Sequence, residues 1–320
     1  MSFSSILGQA PAVETLERAL RSGRVHHAYR FEGPEGVGKE KAALELAAHL
    51  VCPDSAEEVC PECLRRVTTL SADPPHVPLH PDVVLVERGL YQGLLGASEA
   101  TGISVEQIRR VVLGRVGFPP HEGRALVFIV RDADQLTQQA ANALLKTLEE
   151  PGASTYFVLL TTRPQRLLDT VLSRTLPVRF GPLPEEVIRE ILTRRGAPLG
   201  AVAAAQGSAA LGLKLADEAV LGTRRDFVRR VREAVAAEDL GPALAVAEAR
   251  PSERAGLTEQ LGFLALAWAT EARLAVGTRA REAERLSRAH QVVLGTLRDL
   301  ERNAQPGLAL ESMILRLRRL

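Results

Sequence analysis

Along the first half of the chain, short β-rich apolar runs alternate with stretches whose apolar residues recur at helical spacing. The runs are Ala28 to Phe31, Val83 to Val86, Ala125 to Val130, Tyr156 to Leu160 and Leu176 to Phe180. Strands that alternate with helices are the signature of a parallel sheet covered by helices, so an α/β fold is predicted. The helices have legible ends. Pro11 suits a first turn, Val13, Leu16, Ala19 and Leu20 share one face, and Gly23 stops the run. Ser104 with Gln107 makes a capping box, with Ile103 stapled onto Ile108. Thr137 caps a run through Ala141, Leu144, Leu145 and Leu148, which Pro151 closes. The stretch from Gly89 to Gly102 reads as a mobile excursion between two strands.

From about Pro182 the β pattern disappears. Pro184 to Arg195 and Gly200 to Asp217 read as a small helical unit. Beyond Leu221, the spacings of Leu257, Leu261, Leu264 and Trp268, and of Leu310, Met313, Ile314 and Leu317, describe a helical bundle with Trp268 in its core. Three regions follow: a sheet domain over 1–180, a helical unit over 181–220 and a bundle over 221–320.

Composition narrows the classes. A chain of 320 residues, 46% of them hydrophobic, is long enough to bury more than one core. Its net charge of +1 carries none of the excess that marks nucleic-acid binding by an isolated chain, so DNA contact is expected to be local or shared with partners. There is no basic start followed by an apolar run, and no stretch approaches the ~20 apolar residues of a membrane span. The reading is a cytoplasmic protein without membrane contact. Three cysteines, Cys52, Cys60 and Cys63, are too few and too close for a disulfide framework and point to a metal or the remains of one.

The strongest chemical signal is Gly33-Pro34-Glu35-Gly36-Val37-Gly38-Lys39-Glu40, which follows a strand and opens a helix. Gly33, Gly36 and Gly38 let backbone N–H groups converge on phosphate oxygens, the helix start adds positive potential, and Lys39 reaches the terminal phosphates. The next position breaks the pattern. A Ser or Thr should follow the lysine to hold magnesium, and Glu40 stands there instead. A metal-holding acid is also due at the end of the apolar strand Leu126 to Val130, where Arg131 stands in the place of the metal-binding aspartate, followed by Asp132 in that of the glutamate. A guanidinium repels the cation, so both losses favour a retained shape without hydrolysis.

The decapeptide Asn142-Ala143-Leu144-Leu145-Lys146-Thr147-Leu148-Glu149-Glu150-Pro151 resembles bacterial clamp-loader subunits, of both the gamma/tau ATPase type and the delta-prime type. The resemblance continues through Ile6-Leu7-Gly8-Gln9, the phosphate loop, His80-Pro81-Asp82, Ser173-Arg174-Thr175 and the closing Asn303 to Glu311. It implies an AAA+ domain, a small helical lid and an all-helical collar that joins five subunits in a ring. It further implies that Arg174, supported by Ser173, reaches a neighbouring subunit's ATP and magnesium as an arginine finger. In Gly207-Ser208-Ala209-Ala210-Leu211, similar to the lid motif, Leu211 stands where an ATPase subunit places its nucleotide-sensing arginine. These departures fit the delta-prime type: a stator in the DNA polymerase III clamp-loader, beside gamma/tau and delta subunits, that helps place the sliding clamp on primed DNA. Such a chain performs no catalysis of its own. An active gamma/tau-type ATPase, for which Lys39 speaks and against which Glu40 speaks, is the alternative; an unrelated phosphate-loop kinase or repair ATPase is the third reading.

Cys52, Cys60 and Cys63 resemble the zinc module of the same family, in which a fourth cysteine stands where this chain has Arg66. Two readings stand open: a structural zinc completed by His76 or His80, or a decayed site held by packing. His26 and His27, before the first core strand, read as structural, and Arg316, Arg318 and Arg319 as a solvated face or collar salt bridges.

Overall fold

The computed structural model describes residues 3–54, 58–91, 93, 102–251 and 254–320; most of the Gly89 to Gly102 stretch lies outside them. Five parallel strands, β1 (Ala28–Glu32), β2 (Val83–Val86), β3 (Leu126–Val130), β4 (Thr155–Thr161) and β5 (Leu176–Arg179), form one sheet in the order β2-β3-β4-β1-β5. β1 lies between β4 and β5, with Phe31 opposite Leu160 on one side and Val178 on the other. The chain therefore leaves β1 for the phosphate loop from inside the sheet.

Successive strand residues point to opposite faces. Val84, Val86, Leu126, Phe128, Val130, Phe157 and Leu159 pack on one face with Ala140, Leu144 and Leu148 of a helix, α5 below. Phe128 and Phe157 stack there with centroids 5.1 Å apart. The alternate residues Phe31, Leu85, Val127, Ile129 and Val158 are also fully buried, so both faces are covered. Replacing a ring such as Phe128 by alanine would cost about 3–5 kcal/mol through lost transfer energy and a residual cavity.

The helices of this part are α1 (Ala10–Arg21), α2 (Lys39–Val51), α3 (Pro61–Thr68), α4 (Val105–Gln107), which runs on as a π-helical stretch Ile108–Leu113, α5 (Gln138–Glu149) and α6 (Asp169–Leu172). Their ends follow the capping logic. Pro11 is in the first turn of α1, and Gly23 beyond its end takes φ 65°. Thr137 accepts the Ala140 N–H at 3.2 Å at the start of α5. Only half of the expected capping box at α4 is made: Ser104 Oγ accepts the Gln107 N–H at 3.2 Å, but the Gln107 side chain donates to the Glu87 carbonyl instead, at 2.8 Å. Ile103 and Ile108 are buried in one cluster, as a staple requires.

His80-Pro81-Asp82 is a structural turn. Buried Asp82 accepts backbone N–H groups from His121, Glu122 and Gly123 at 2.6, 2.9 and 2.8 Å. Burial alone would raise its pKa, but these three donors together hold the carboxyl below its ordinary value.

Past β5 come α7 (Glu185–Arg194), short 3-10 turns at Leu199–Ala201 and Ala203–Ala205, and α8 (Ala209–Ala216). The helical run expected from Gly200 to Asp217 is thus broken. Gln206 and Gly207 take φ 49° and 83°, left-handed values that no α-helix continues through, and Ser208 Oγ restarts the helix by accepting the Leu211 N–H at 3.1 Å.

The remaining helices are α9 (Glu218–Ala236), α10 (Gly241–Glu248), α11 (Arg254–Ala275), α12 (Ala280–Glu301) and α13 (Pro306–Leu317). Leu257, Leu261, Leu264 and Trp268 meet Leu310, Met313, Ile314 and Leu317 in one apolar core. The closing motif has a local cause: Asn303 takes φ 66° and accepts from Arg254 at 2.7 Å, Gln305 caps the Leu308 N–H at 3.0 Å, and Pro306 opens α13. Arg318 makes neither of the contacts expected of the terminal arginines. It donates to the carbonyl oxygens of Ala237, Glu238 and Asp239 at 2.6, 2.9 and 2.6 Å, closing the end of α9.

The chain divides into two compact units, Met1–Ile191 with Gln206–Leu211, and Leu192–Ala205 with Gly212–Leu320. Among the described residues no helix is long and apolar enough to cross a membrane.

Candidate functional site

The phosphate loop spans Gly33 to Gly38 between β1 and α2. Gln9, buried in the opening motif, anchors it by donating to Val37 O at 3.3 Å and Gly181 O at 2.7 Å while accepting the Gly181 N–H at 3.0 Å. Gly38, at φ 100°, sits at the cap position of α2 in a conformation that a side chain resists. Gly36 is held by approach as much as by conformation: a Cβ there would lie 2.2 Å from Ser208 Oγ and 2.7 Å from Ala210 Cβ. The same lid segment donates its Ala209 N–H to Gly36 O at 2.9 Å. Gly207 to Leu211 therefore rests directly on the loop. Leu211, at the position expected to lack a sensor, offers no charge to a phosphate.

Lys39 is buried and turned back onto its own loop, donating to Gly33 O at 2.7 Å and to Pro34 O. Burial lowers its pKa, against the opposing pull of Asp132, Glu35 and Asp134. Glu40 and Arg131, the two positions that depart from a metal-binding loop, meet. The Arg131 guanidinium is ion-paired to Glu40 on α2 and to Glu87, just beyond β2, the latter at 2.6 Å. Burial opposes the charge on Arg131, but Glu87 and Glu40 outweigh it and hold its pKa above the ordinary value. A fixed organic cation, 20% exposed, thus stands between two carboxylates where a metal-dependent site would hold magnesium. Asp132, at φ 45°, stays close enough to Lys39 to act on its charge, and burial, with Asp134, Glu87 and Glu35 nearby, raises its own pKa; Asp134 is taken by Thr161 at 2.8 Å and Arg163 at 3.0 Å.

Ser173 and Arg174 lie between α6 and β5. Arg174 Nε donates to Glu149 Oε1 at 2.6 Å, and its Nη1 donates to Thr170 O at 2.9 Å and Ser173 Oγ at 3.1 Å. Thr175 is buried and receives Arg30 Nη1 while donating to Val171 O at 2.8 Å, which fixes the base of the turn. Glu149, inside the decapeptide, is the positioning residue that sequence reasoning did not assign, and Glu87 is its counterpart beside Arg131. Glu87 is marked only by its place at the end of a strand, and Glu149 by the decapeptide and its place at the end of α5.

Cys52, Cys60 and Cys63 are brought together, with their sulfurs all within 4.8 Å of one another. Cys60 caps α3: its sulfur accepts the Cys63 N–H at 3.4 Å, and Cys52 Sγ accepts the Cys60 N–H at 3.5 Å. The Cys63 N–H lowers the Cys60 pKa, whereas burial and the neighbouring thiols push Cys63 up to about 12. Three sulfurs with N–H donors fit three zinc ligands, and a closed structural site needs four. Neither His76 nor His80 belongs to the group. His76 Nδ1 lies 3.0 Å from Ser71 O, buried His80 accepts the Asp82 N–H at 3.2 Å, and Arg66 is paired with Glu122 at 2.6 Å.

The sequence model of the family described as DNA polymerase III, delta subunit, matches residues 8–184. The chain belongs to this clamp-loader AAA+ family. It is 35% identical over 185 residues to DNA polymerase III subunit delta' of Bacillus subtilis, covering 58% of this chain and 51% of that protein. It is 33% identical over 236 residues to the tau/gamma subunit of Haemophilus influenzae, covering 70% of this chain and 32% of that one. The match thus spans about half of one relative and a third of the other. A DNA polymerase III gamma subunit-related protein from Thermotoga maritima shares the fold, with TM-score 0.52 and 18% identity over 95% of this chain and 98% of its own.

Proposed function

We propose that this family member acts as the delta-prime-type subunit of a DNA polymerase III clamp loader, with a degenerate nucleotide site of its own and Arg174 supplied to the ATP and magnesium of a neighbouring subunit. The observation that carries the reading is Arg131 held between Glu40 and Glu87, a cation built into the place of magnesium. Lys39, folded onto loop carbonyls, and the lid segment resting on Gly36 add to it. Arg174 is held at the surface by Glu149, with Ser173 as a second support, in a form that can be passed to a partner. Its partners in this reading are gamma/tau and delta subunits, and through them the sliding clamp and primed DNA, in the cytoplasm. The three-cysteine cluster is a candidate structural zinc site remote from this chemistry.

The test is ATP turnover by the isolated chain with magnesium, then by a ring reconstituted from it and ATPase subunits. No turnover alone, together with clamp loading that depends on the chain, is expected. Magnesium-dependent turnover abolished by Lys39→Ala would replace this reading by an active gamma/tau-type ATPase.

A further inference from the structure

At the end of the sheet away from the phosphate loop, the starts of β1, β4 and β5 open into a cavity of about 690 Å³. Arg18 of α1, Arg24, His26 and His27 of the connection into β1, and Tyr156 and Leu176 at the starts of β4 and β5 face it. None of the described residues that line it is acidic. Arg18 and Arg24 are exposed, and neither guanidinium is engaged by a described residue, whereas Arg21 on the same helix is paired with Glu17.

The imidazoles are fixed. His27 Nε2 lies 2.8 Å from Leu148 O and His26 Nδ1 lies 2.8 Å from Ala28 O, so each ring has one nitrogen committed and one left over. Their rings stack with centroids 4.4 Å apart. Leu176, 42% exposed, adds an apolar surface beside half-buried Tyr156. Unpaired guanidiniums match phosphate oxygens in a planar fork, and immobile rings beside them offer faces to a base. A cavity of this size lies within the range of about 300–1,000 Å³ that small-molecule sites occupy.

We propose that this cavity binds a phosphate-bearing nucleotide unit, either free or as part of a single-stranded nucleic acid, with phosphate on Arg18 and Arg24 and the base against the Tyr156 and imidazole side. An inorganic anion would use the guanidiniums alone and leave the rings and Leu176 without a role.

The full-length chain is titrated with dTMP and with inorganic phosphate by calorimetry, and with fluorescein-labelled oligo-dT by anisotropy. Arg18→Ala with Arg24→Ala is expected to weaken nucleotide or oligonucleotide binding at least tenfold, Tyr156→Leu several-fold, and Arg21→Ala, on the same helix but paired with Glu17, not at all. Tighter binding of the oligonucleotide than of dTMP assigns the site to a strand, and the reverse to a free nucleotide. The proposal is overturned if neither nucleotide probe binds, if the double arginine variant binds as wild type, if Arg21→Ala weakens binding as much as the double arginine variant does, or if phosphate binds as tightly as dTMP. The substituted arginines are exposed, and circular dichroism of each variant confirms the fold before titration.

Discussion

Arg131 and Arg174 are both held by carboxylates of their own chain, and their surroundings put them to opposite uses. Arg131 is 20% exposed and engaged on two sides, by Glu40 from α2 and Glu87 from the end of β2. Its charge is consumed inside the site. Arg174 is 31% exposed and, among the described residues, has one carboxylate partner, Glu149, itself 47% exposed. Exposed ion pairs are worth about 0–1 kcal/mol, so exchanging this partner for a phosphate costs little. One arginine is locked between two carboxylates of its own site; the other is held by one exposed carboxylate at the surface. Under the proposed reading, the second would let the subunit act on a neighbour's chemistry while the first would keep its own site closed to magnesium.

The comparison breaks most sharply at Arg174. An arginine supplied across an interface is worth about a thousandfold or more at the site that it completes. In a ring with several ATP sites, Arg174→Ala is expected to remove one site's contribution, lowering total ATPase in part and clamp loading more severely. Arg174→Lys should fail to restore either, because lysine lacks the planar fork. Clamp-stimulated ATPase at equal assembly is the measurement; rates matching wild type would leave this chain a passive stator.

A smaller effect is expected at Arg131. Arg131→Ala leaves Glu40 and Glu87 facing each other without a cation, and because both are partly exposed the expected loss of stability is about 1–2 kcal/mol, read from denaturant midpoints. The sharper variant is Glu40→Thr with Arg131→Asp, which removes the internal cation and returns both magnesium-holding groups. This double variant is expected to gain magnesium-dependent nucleotide binding that either single change lacks. Binding unchanged by the double change would show that the lid segment on Gly36, rather than the ion pairs, closes the site.

Much of the sheet is legible in the amino-acid sequence. Its strands are runs such as Val83 to Val86 and Leu126 to Val130, buried on both faces, and such runs announce themselves by composition. The break in the helical run is half legible: Gly207 and the capping Ser208 mark it, whereas left-handed Gln206 leaves no mark in an apolar pattern. At the site, the loop glycines, Lys39 and the two departures at Glu40 and Arg131 stand out by spacing. Their partners do not: Glu87 and Glu149 lie far along the chain from Arg131 and Arg174, and only the pairing of β2 with β3 and the turn after α6 bring them near. For the cysteines, spacing announces the trio but misleads about the fourth ligand. His80 is spent on Asp82, a contact that no count of ligand types reveals.

The smallest expected effect sharpens the comparison furthest, because Glu149 acts on Arg174 in two opposing ways. Its carboxylate orients the guanidinium, and it also competes with the phosphate that the guanidinium is to meet. Removing it frees the charge at a gain of at most about 1 kcal/mol, the worth of an exposed pair. It also loosens a side chain whose ordering costs about 0.5–1.5 kcal/mol when a partner must do it afresh. Thr170 O and Ser173 Oγ still tether Nη1, at 2.9 and 3.1 Å, so the loosening is incomplete. Orientation wins narrowly on these magnitudes. Glu149→Ala is expected to slow turnover at the one site that Arg174 completes by a factor of about two, a smaller drop in the ring's ATPase than Arg174→Ala gives, with stability changed by less than about 1 kcal/mol. Glu149→Gln, which keeps an oxygen acceptor without the charge, should lie close to wild type. A faster ATPase in Glu149→Ala would reverse the assignment and make Glu149 a restraint on the finger, in the same sense that Glu40 and Glu87 restrain Arg131.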